Sequence, residues 1–118
     1  MNRHRNPSVY LQHISKNIAL IEEATRGLTR EAFMSQPVIQ NAIMRCLEII
    51  GEASKNIEDE FKLLHPDVRW REMAGTRDIL IHHYFDVDLE ETWNIVKNDL
   101  PILKKQIQKI LKEMPESS

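Results

Sequence analysis

The chain has 118 residues, with 16 lysines and arginines against 18 aspartates and glutamates, so its net charge is −2 at pH 7. This length supports one compact domain with a self-sufficient core, and we expect a single helical domain over residues 1–118. The charge excludes a protein that holds duplex DNA through a general basic surface, so any nucleic-acid site must be local. With 42% hydrophobic and 29% charged residues, a fibrous or disordered protein is also excluded.

The cysteine count and the hydropathy pattern indicate the compartment. Cys46 is the only cysteine, which rules out an internal disulfide and a cysteine-rich zinc site and favours a reducing environment. No segment approaches the ~20 apolar residues that span a bilayer. The N-terminal residues, interrupted by His13 and Lys16, are not expected to act as a signal peptide. We therefore expect a cytoplasmic protein with no membrane association.

The apolar residues recur every three or four positions, and only 3 glycines and 5 prolines interrupt the chain. This periodicity is helical, so we predict an all-α fold. The first helix is predicted to begin near Pro7, with Ser8 as its N-cap, and to end at Gly27. Its predicted core stripe is Leu11, Ile14, Ile18 and Ile21.

A short helical turn is predicted over residues 29–34, after which Ser35 is expected to cap a long second helix beginning at Pro37. The predicted core stripe of this helix is Ile39, Ile43, Cys46, Ile50, Ala53 and Ile57. Residues 58–67 are the least regular part of the chain and are predicted to form a loop. The side chains expected to hold this loop against the core are Phe61, Leu63 and Leu64.

A third helix is predicted from about Val68 to Phe85, and a fourth from Asp88, which forms a capping-box pattern with Glu91. Pro101 lies inside the pattern of the fourth helix, and we expect it to kink the helix or to remove a hydrogen bond. The predicted core stripe of the fourth helix is Trp93, Val96, Leu100, Leu103, Ile107 and Ile110.

The third helix carries an arginine in the middle of an apolar face. With about 100° of rotation per residue, Arg77 projects within roughly 60° of a set of mostly apolar side chains. These are Trp70, Met73, Ala74, Leu80, Ile81 and Tyr84. An unpaired charge on such a face costs several kcal/mol. Two partners remain open: an internal carboxylate such as Glu48 or Glu52, or a phosphate, which suits the planar guanidinium of arginine.

The same helix carries a candidate proton-transfer group. Asp78 precedes His82 by four positions, so the two side chains share one helical face and the carboxylate can orient the imidazole. Such a histidine can accept and donate the protons that phosphodiester transfer requires. Arg77 and His82 are about 140° apart around the helix, so their spacing alone does not bring them together. The alternative is that His82 and His83 form a solvated pair near a helix end.

The run from Arg77 to Tyr84 fits an Arg-x-x-x-x-His-x-Tyr signature and resembles the HEPN-domain ribonuclease toxins of the HepT-like type. The resemblance extends in the same order to residues 45–53, 70–74 and 82–87, and so covers nearly the whole chain. It implies a dimeric, up-and-down bundle of four to five helices. In this arrangement Arg77 and His82 of both chains surround a shared cleft, so a second chain completes the site.

The resemblance also implies an activity: a metal-independent, cofactor-free endoribonuclease toxin of the type VII toxin–antitoxin systems, which cleaves single-stranded RNA. His82, with Asp78 beside it, would transfer the proton, and Arg77 would stabilise the phosphorane. Tyr84 falls on the position that the partner antitoxin, an MNT-type nucleotidyltransferase, adenylylates. From the residues alone Tyr84 is a core residue on the Arg77 face. An added nucleotide would exclude RNA from the phosphate site.

The sequence leaves two other functions open. One is a non-catalytic HEPN module that binds a nucleotide or a partner protein and uses Arg77 only to hold phosphate. The other reverses the roles, so that this chain restrains the nucleotidyltransferase. In the first case, replacement of His82 would leave ligand binding unchanged, whereas a nuclease would lose cleavage.

Three weaker patterns complete the sequence reading. A metal site would need His82 and His83 with nearby aspartates, namely Asp78, Asp86 and Asp88. Because adjacent histidines diverge on a helix, we predict no metal.

Cys46 is predicted to be an inert core thiol. Arg69 and Arg71, at the start of the third helix, either contact an RNA backbone or form a solvated face.

Overall fold

The computed structural model describes residues 6–75 and 88–114, and every regular element within these ranges is a helix. The elements are α1 (Pro7–Thr25), α2 (Arg30–Met34), α3 (Pro37–Asn56), α4 (Asp59–Leu64), α5 (70–75), α6 (Leu89–Asn94), a π-helical turn (Ile95–Asp99) and α7 (Leu100–Glu113). The prediction of an all-α fold is confirmed.

The core lies where α1 packs against both α3 and α7. All four predicted stripe residues of α1 are buried, and so are those of the fourth predicted helix except Trp93, which is partly buried. Burial of one such aliphatic side chain contributes about 1.5–3 kcal/mol. The apolar stripes therefore determine how the three long helices assemble.

The ends of α1 differ slightly from the prediction. Asn6, rather than Ser8, is the N-cap: its Oδ1 accepts a hydrogen bond from the Ser8 backbone N–H at 2.9 Å. The predicted cap was wrong because Pro7 occupies the first helical position, which moves the cap one residue before it. At the other end the helix stops at Thr25, and Gly27 adopts φ +72°. Glycine favours this left-handed conformation, so Gly27 ends the segment as predicted.

The junction of α2 and α3 corrects a second predicted cap. Ser35 does not cap α3; its hydroxyl donates to the Ala32 carbonyl at 3.1 Å and closes α2. The N-cap of α3 is Gln36, which makes no side-chain capping bond. Ser35 lies one residue too early, because Pro37 is already the first helical residue.

The buried face of α3 is displaced from the predicted stripe. Ile43, Ile50, Ala53 and Ile57 are buried as predicted, whereas Ile39 and Cys46 are only partly buried. Leu47, which the prediction omitted, is 3% exposed, and Ser54 is fully buried. Residues at intervals of three and four share a helical face, and α1 covers the face through residues 43, 47, 50, 54 and 57.

Residues 58–67 were predicted to form a loop, but they contain α4. Of the three apolar side chains expected to contact the core, only Phe61 does so. Leu63 and Leu64 are 79% and 73% exposed. Neighbouring residues of a helix point about 100° apart, so a single helical turn cannot direct all three side chains inward.

Pro101 is accommodated by the π-helical turn that precedes it. The Leu100 N–H donates to the Ile95 carbonyl, five residues earlier, and Pro101 lies in the first turn of α7. Proline has no N–H to donate to the preceding turn, and the wider π register absorbs this missing bond. The prediction of a local disturbance is confirmed. The helical path continues from α6 through the π-helical turn into α7.

Candidate functional site

The residues of the predicted signature belong to a stretch that we call the motif segment (residues 76–87), which lies outside the described residues. They are Arg77, Asp78, His82, His83 and Tyr84. The structure describes the two elements that flank this segment, α5 before it and α6 after it. The contacts of these two elements fix the positions of the two ends between which the motif segment runs.

The upstream flank is held by an aromatic anchor. Trp70 is only 7% exposed, and its indole N–H donates to the His65 carbonyl at 3.0 Å. Its ring meets that of Phe61 edge-on, with centroids 6.5 Å apart. Since a buried indole N–H needs a partner, this bond secures the turn between α4 and α5.

A second contact joins α5 to α3. The Ser54 hydroxyl donates to the Ile50 carbonyl at 2.8 Å, and its Oγ lies 3.7 Å from the Met73 sulfur. Met73 also packs against the core cluster. Trp70 and Met73 belong to the helical face that was predicted to include Arg77. The described part of that face is therefore directed toward the core.

The downstream flank begins with a capped helix. Asp88 Oδ1 accepts from the Glu91 N–H at 3.1 Å, and the Thr92 hydroxyl donates to the Asp88 carbonyl at 3.0 Å. The predicted N-cap at Asp88 is confirmed. Such a cap contributes about 0.5–2 kcal/mol, so it stabilises the point at which the chain re-enters the bundle.

Contacts with α2 hold α6 in place. The Phe33 and Trp93 rings lie 5.1 Å apart, and Arg30 pairs with Glu90 on the protein surface. Phe33 is completely buried. The two flanks of the motif segment are thus anchored to different helices, α5 to α3 and α6 to α2.

The two carboxylates considered as internal partners of Arg77 lie in a groove of about 430 Å³ between α1 and α3, hereafter the α1–α3 groove. Its polar lining residues are Tyr10, His13, Arg45, Glu48, Glu52 and Asn56. Glu48 pairs with Arg45 at 3.3 Å, and Glu52 accepts from Asn56 Nδ2 at 3.4 Å. Pairing of either carboxylate with Arg77 stays a prediction.

Sequence reasoning did not single out Tyr10 or His13 as groove residues. Tyr10 is partly buried against the core and His13 is exposed, and only the packing of α1 on α3 brings them into one groove with Arg45. One arginine and two glutamates give this groove an excess of negative charge. That excess disfavours a phosphate backbone there. The α1–α3 groove is therefore not the site that the signature predicts.

Cys46 has the environment of an unreactive thiol. It is half-buried against the core, and this burial raises the pKa of the thiol, an effect that the charge of Arg45 only partly offsets. The thiolate is the nucleophilic form, so a raised pKa lowers reactivity at neutral pH. This environment agrees with the predicted inert role.

Of the aspartates and histidines considered for a metal site, only Asp88 is among the described residues. Its side chain caps α6. Within residues 6–75 and 88–114, no group of three or more His, Cys, Asp or Glu side chains is arranged to hold a metal ion. The other members of that predicted alternative belong to the motif segment.

Comparison with known proteins decides the family. The profile of the family described as "Ribonuclease HepT-like" matches residues 14–110. The chain belongs to this family. The predicted resemblance, and the prediction of a ribonuclease, are thereby confirmed for the family as a whole. The matched range includes the motif segment of this HepT-like chain and both of its flanks.

Individual relatives support the same assignment. The chain is 51% identical over 108 residues to a probable ribonuclease HepT of Thermococcus cleftensis, covering 92% of this chain and 98% of the relative. A putative RNase of Caldanaerobacter subterraneus is 41% identical over 109 residues, with 92% and 97% coverage. A Methanocaldococcus jannaschii protein named gamma-glutamylcyclotransferase and putative RNase is 44% identical over 113 residues, which are 51% of its length. No solved structure matches this chain significantly.

The length and hydrophobicity of the helices of this HepT-like chain bear on membrane association. In the portion that the structure describes, no helix has both the length and the hydrophobicity needed to cross a bilayer.

Proposed function

We propose that this HepT-like chain is a metal-independent endoribonuclease toxin that cleaves single-stranded RNA, with Arg77, Asp78 and His82 in its active site. One observation carries the proposal: the family match over residues 14–110 spans the complete Arg-x-x-x-x-His-x-Tyr signature. The core-directed face of α5, with Trp70 and Met73, supports it further. If the helix continues to Arg77, the arginine falls on the same face and requires an anionic partner, which the scissile phosphate would supply.

In the proposed reaction, the 2′-oxygen of RNA attacks the adjacent phosphorus, and the bond from phosphorus to the 5′-oxygen breaks. One proton leaves the 2′-hydroxyl and one reaches the departing oxygen. The products are a 2′,3′-cyclic phosphate and a 5′-hydroxyl. His82 handles one of these protons, Asp78 orients its imidazole, and Arg77 stabilises the negative charge of the phosphorane.

The active site is proposed to form between two copies of the chain. Arg77 and His82 project about 140° apart if both lie on one helix, so a single copy does not direct both at one phosphate. In a homodimer, the arginine of one copy and the histidine of the other can meet across a shared cleft. We further propose that residues 1–118 form one domain of this cytoplasmic dimer.

Inhibition is proposed to act through Tyr84. A partner nucleotidyltransferase, the antitoxin, would transfer AMP from ATP to the Tyr84 hydroxyl and release pyrophosphate. The product is a phosphodiester with one negative charge and an attached adenosine. If Arg77 and Tyr84 lie on one helix, they share a face, and the added phosphate would compete with RNA for the guanidinium and block cleavage.

The test is cleavage of a defined RNA in excess EDTA by protein whose intact mass excludes adenylylation. We expect cyclic-phosphate and 5′-hydroxyl ends, and at least a 100-fold loss of rate in His82→Ala and in Arg77→Ala. His13→Ala is the matched control, because it removes an exposed histidine from the α1–α3 groove. A requirement for added metal, or full activity in His82→Ala, would contradict the proposal.

The same experiment separates the non-catalytic alternative. If unmodified protein leaves several RNAs intact but binds a nucleotide or a nucleotidyltransferase, and if His82→Ala preserves that binding, the chain is a binding module. A nucleotidyltransferase whose activity this chain suppresses, in the absence of RNA cleavage, would instead indicate the reversed roles.

A further inference from the structure

Positive charge is concentrated on the last helix. Residues 100–114 contain four lysines and one glutamate, a net charge of +3, whereas the whole chain carries −2. The remaining residues therefore carry −5. A cationic helix on an otherwise acidic chain creates a local positive potential that the net charge conceals.

Three of these lysines form one exposed stripe. Lys105, Lys109 and Lys112 lie within about 60° of one another on α7, and the stripe is about 10 Å long at 1.5 Å per residue. All three are exposed, and none forms an ion pair with any carboxylate that the structure describes. Lys104 differs, because it lies about 80–140° from these lysines around α7 and pairs with Glu22 of α1 at 3.0 Å.

A hydrogen bond connects this side of α7 to the start of α5. Gln106 Nε2 donates to the Asp67 carbonyl at 2.9 Å. Gln106 lies about 60° from Lys109 around the helix and about 100–120° from Lys105 and Lys112, so Lys109 is the stripe residue nearest the side of α7 that contacts Asp67. Arg69 comes two residues after Asp67 and is exposed. We call Lys105, Lys109, Lys112 and Arg69 the basic face.

The acidic groups around the basic face are few. Asp67 and Glu72 accompany Arg69 and Arg71 near the start of α5, so that end is close to neutral. Glu113 lies about 40° from Lys109 on α7 and is the acidic residue within the stripe. The net positive charge of the surface therefore comes from the lysines.

We propose that the basic face binds the phosphate backbone of the RNA substrate at a distance from the cleavage site; this inference rests on the proposed ribonuclease function. Lysine ammonium groups act as point charges that hold successive phosphates without reading the bases. The three lysines follow one line, as a strand backbone requires. A second copy of the chain is a poor occupant, because two such faces would repel each other.

The position of the basic face indicates what the proposed contact with the RNA backbone would do. Arg69 immediately precedes α5, and α5 leads directly to the motif segment. Phosphates held along α7 would therefore lie on the side of the bundle where α5 begins. The backbone contact would position a single strand for cleavage and would raise affinity without base specificity.

The test measures binding to a fluorescent 2′-O-methyl RNA oligonucleotide, which lacks the attacking hydroxyl, so a failure of catalysis does not affect the result. Affinity is followed by anisotropy across a KCl series. The variant Lys105→Gln/Lys109→Gln/Lys112→Gln is compared with Lys16→Gln/Lys55→Gln/Lys97→Gln, which removes the same charge from three exposed lysines elsewhere. Circular dichroism checks that both variants remain helical.

We expect the basic-face variant to bind RNA at least about tenfold more weakly at 0.1 M salt. The plot of log affinity against log salt should also become less steep, with the magnitude of its negative slope smaller by about 2. The control should retain the slope of the unaltered protein. Glu113→Lys raises the net charge of the stripe by two and should tighten RNA binding. This second variant keeps the proposal testable if the triple variant folds poorly. Equal slopes for the two triple variants would overturn it. Unchanged RNA binding with loss of an acidic protein partner would overturn it too.

Discussion

The Ser54 hydroxyl oxygen lies 3.7 Å from the Met73 sulfur and couples the middle of the bundle to the helix that leads into the motif segment. Ser54 is fully buried on α3, and Met73 lies four residues before Arg77. A change at Ser54 therefore alters the packing of the helix that precedes the motif segment.

We expect Ser54→Leu to destabilise the protein by about 1–3 kcal/mol, because the larger side chain has no space beside Met73. Ser54→Ala should cost less than about 1.5 kcal/mol, since it removes one hydrogen bond and leaves the packing unchanged. Urea unfolding gives both values. If the two variants were equally stable, the close packing between α3 and α5 would be refuted.

Trp70 provides a second test of the same anchor. We expect Trp70→Phe to lower the free energy of unfolding by about 1–3 kcal/mol, because the His65 carbonyl loses its indole donor and the smaller ring leaves a gap. Trp93→Phe is the matched control, because a phenyl ring can still pack on Phe33. Thermal unfolding should show a larger loss for the Trp70 variant, and the opposite order would contradict its anchoring role.

At the downstream flank, the cap of α6 can be removed without altering the core. Asp88→Ala should destabilise the protein by about 0.5–2 kcal/mol, since the Glu91 N–H loses its acceptor. Asp88→Asn should recover most of this loss, because asparagine caps equally well. Denaturant unfolding of the three proteins makes the comparison. A loss in the asparagine variant as large as in the alanine variant would show that charge, rather than capping, is responsible.

Cys46 gives a pH-dependent prediction. Burial raises the pKa of its thiol above the ordinary value of 9.0, so the folded protein holds this proton more tightly than the unfolded chain does. The contribution to stability is therefore fully present below pH 9.0 and is lost as the pH rises through the folded pKa. Between pH 8 and pH 10, the unfolding free energy of the unaltered protein should fall more steeply than that of Cys46→Ser. Parallel curves would refute the raised pKa.

How well the sequence predicts the buried face differs between the helices. On α1 and α7, the apolar stripes predict the buried face, because their residues leave only one continuous apolar side. On α3, apolar residues extend around a wider arc. There the packing against α1 selects Leu47 for burial over Cys46, a choice that periodicity alone does not determine.

For the candidate site, the residue types and their possible chemical roles were predicted from the sequence, and the ribonuclease activity came from the family. Arg77, Asp78, His82 and Tyr84 follow from a local signature, which the family match spans. Their proposed convergence on one phosphate does not follow from helical spacing, because Arg77 and His82 project about 140° apart on one helix and the proposal needs a second chain. The cap at Asp88 was predictable from its local spacing to Glu91, whereas the bond from the Trp70 indole to the His65 carbonyl was not predicted.

By itself the sequence determined that this protein is all-α, that Gly27 ends the first helical segment, that Pro101 disturbs the last helix, and which family the chain belongs to. These properties depend on residue periodicity, backbone stereochemistry and a short signature, all of which are local. Only the tertiary structure decided that Ser54 meets Met73 and that Gln106 reaches the Asp67 carbonyl. The physical reason is that such contacts join residues 19 and 39 positions apart, and only the packing of whole helices brings them together.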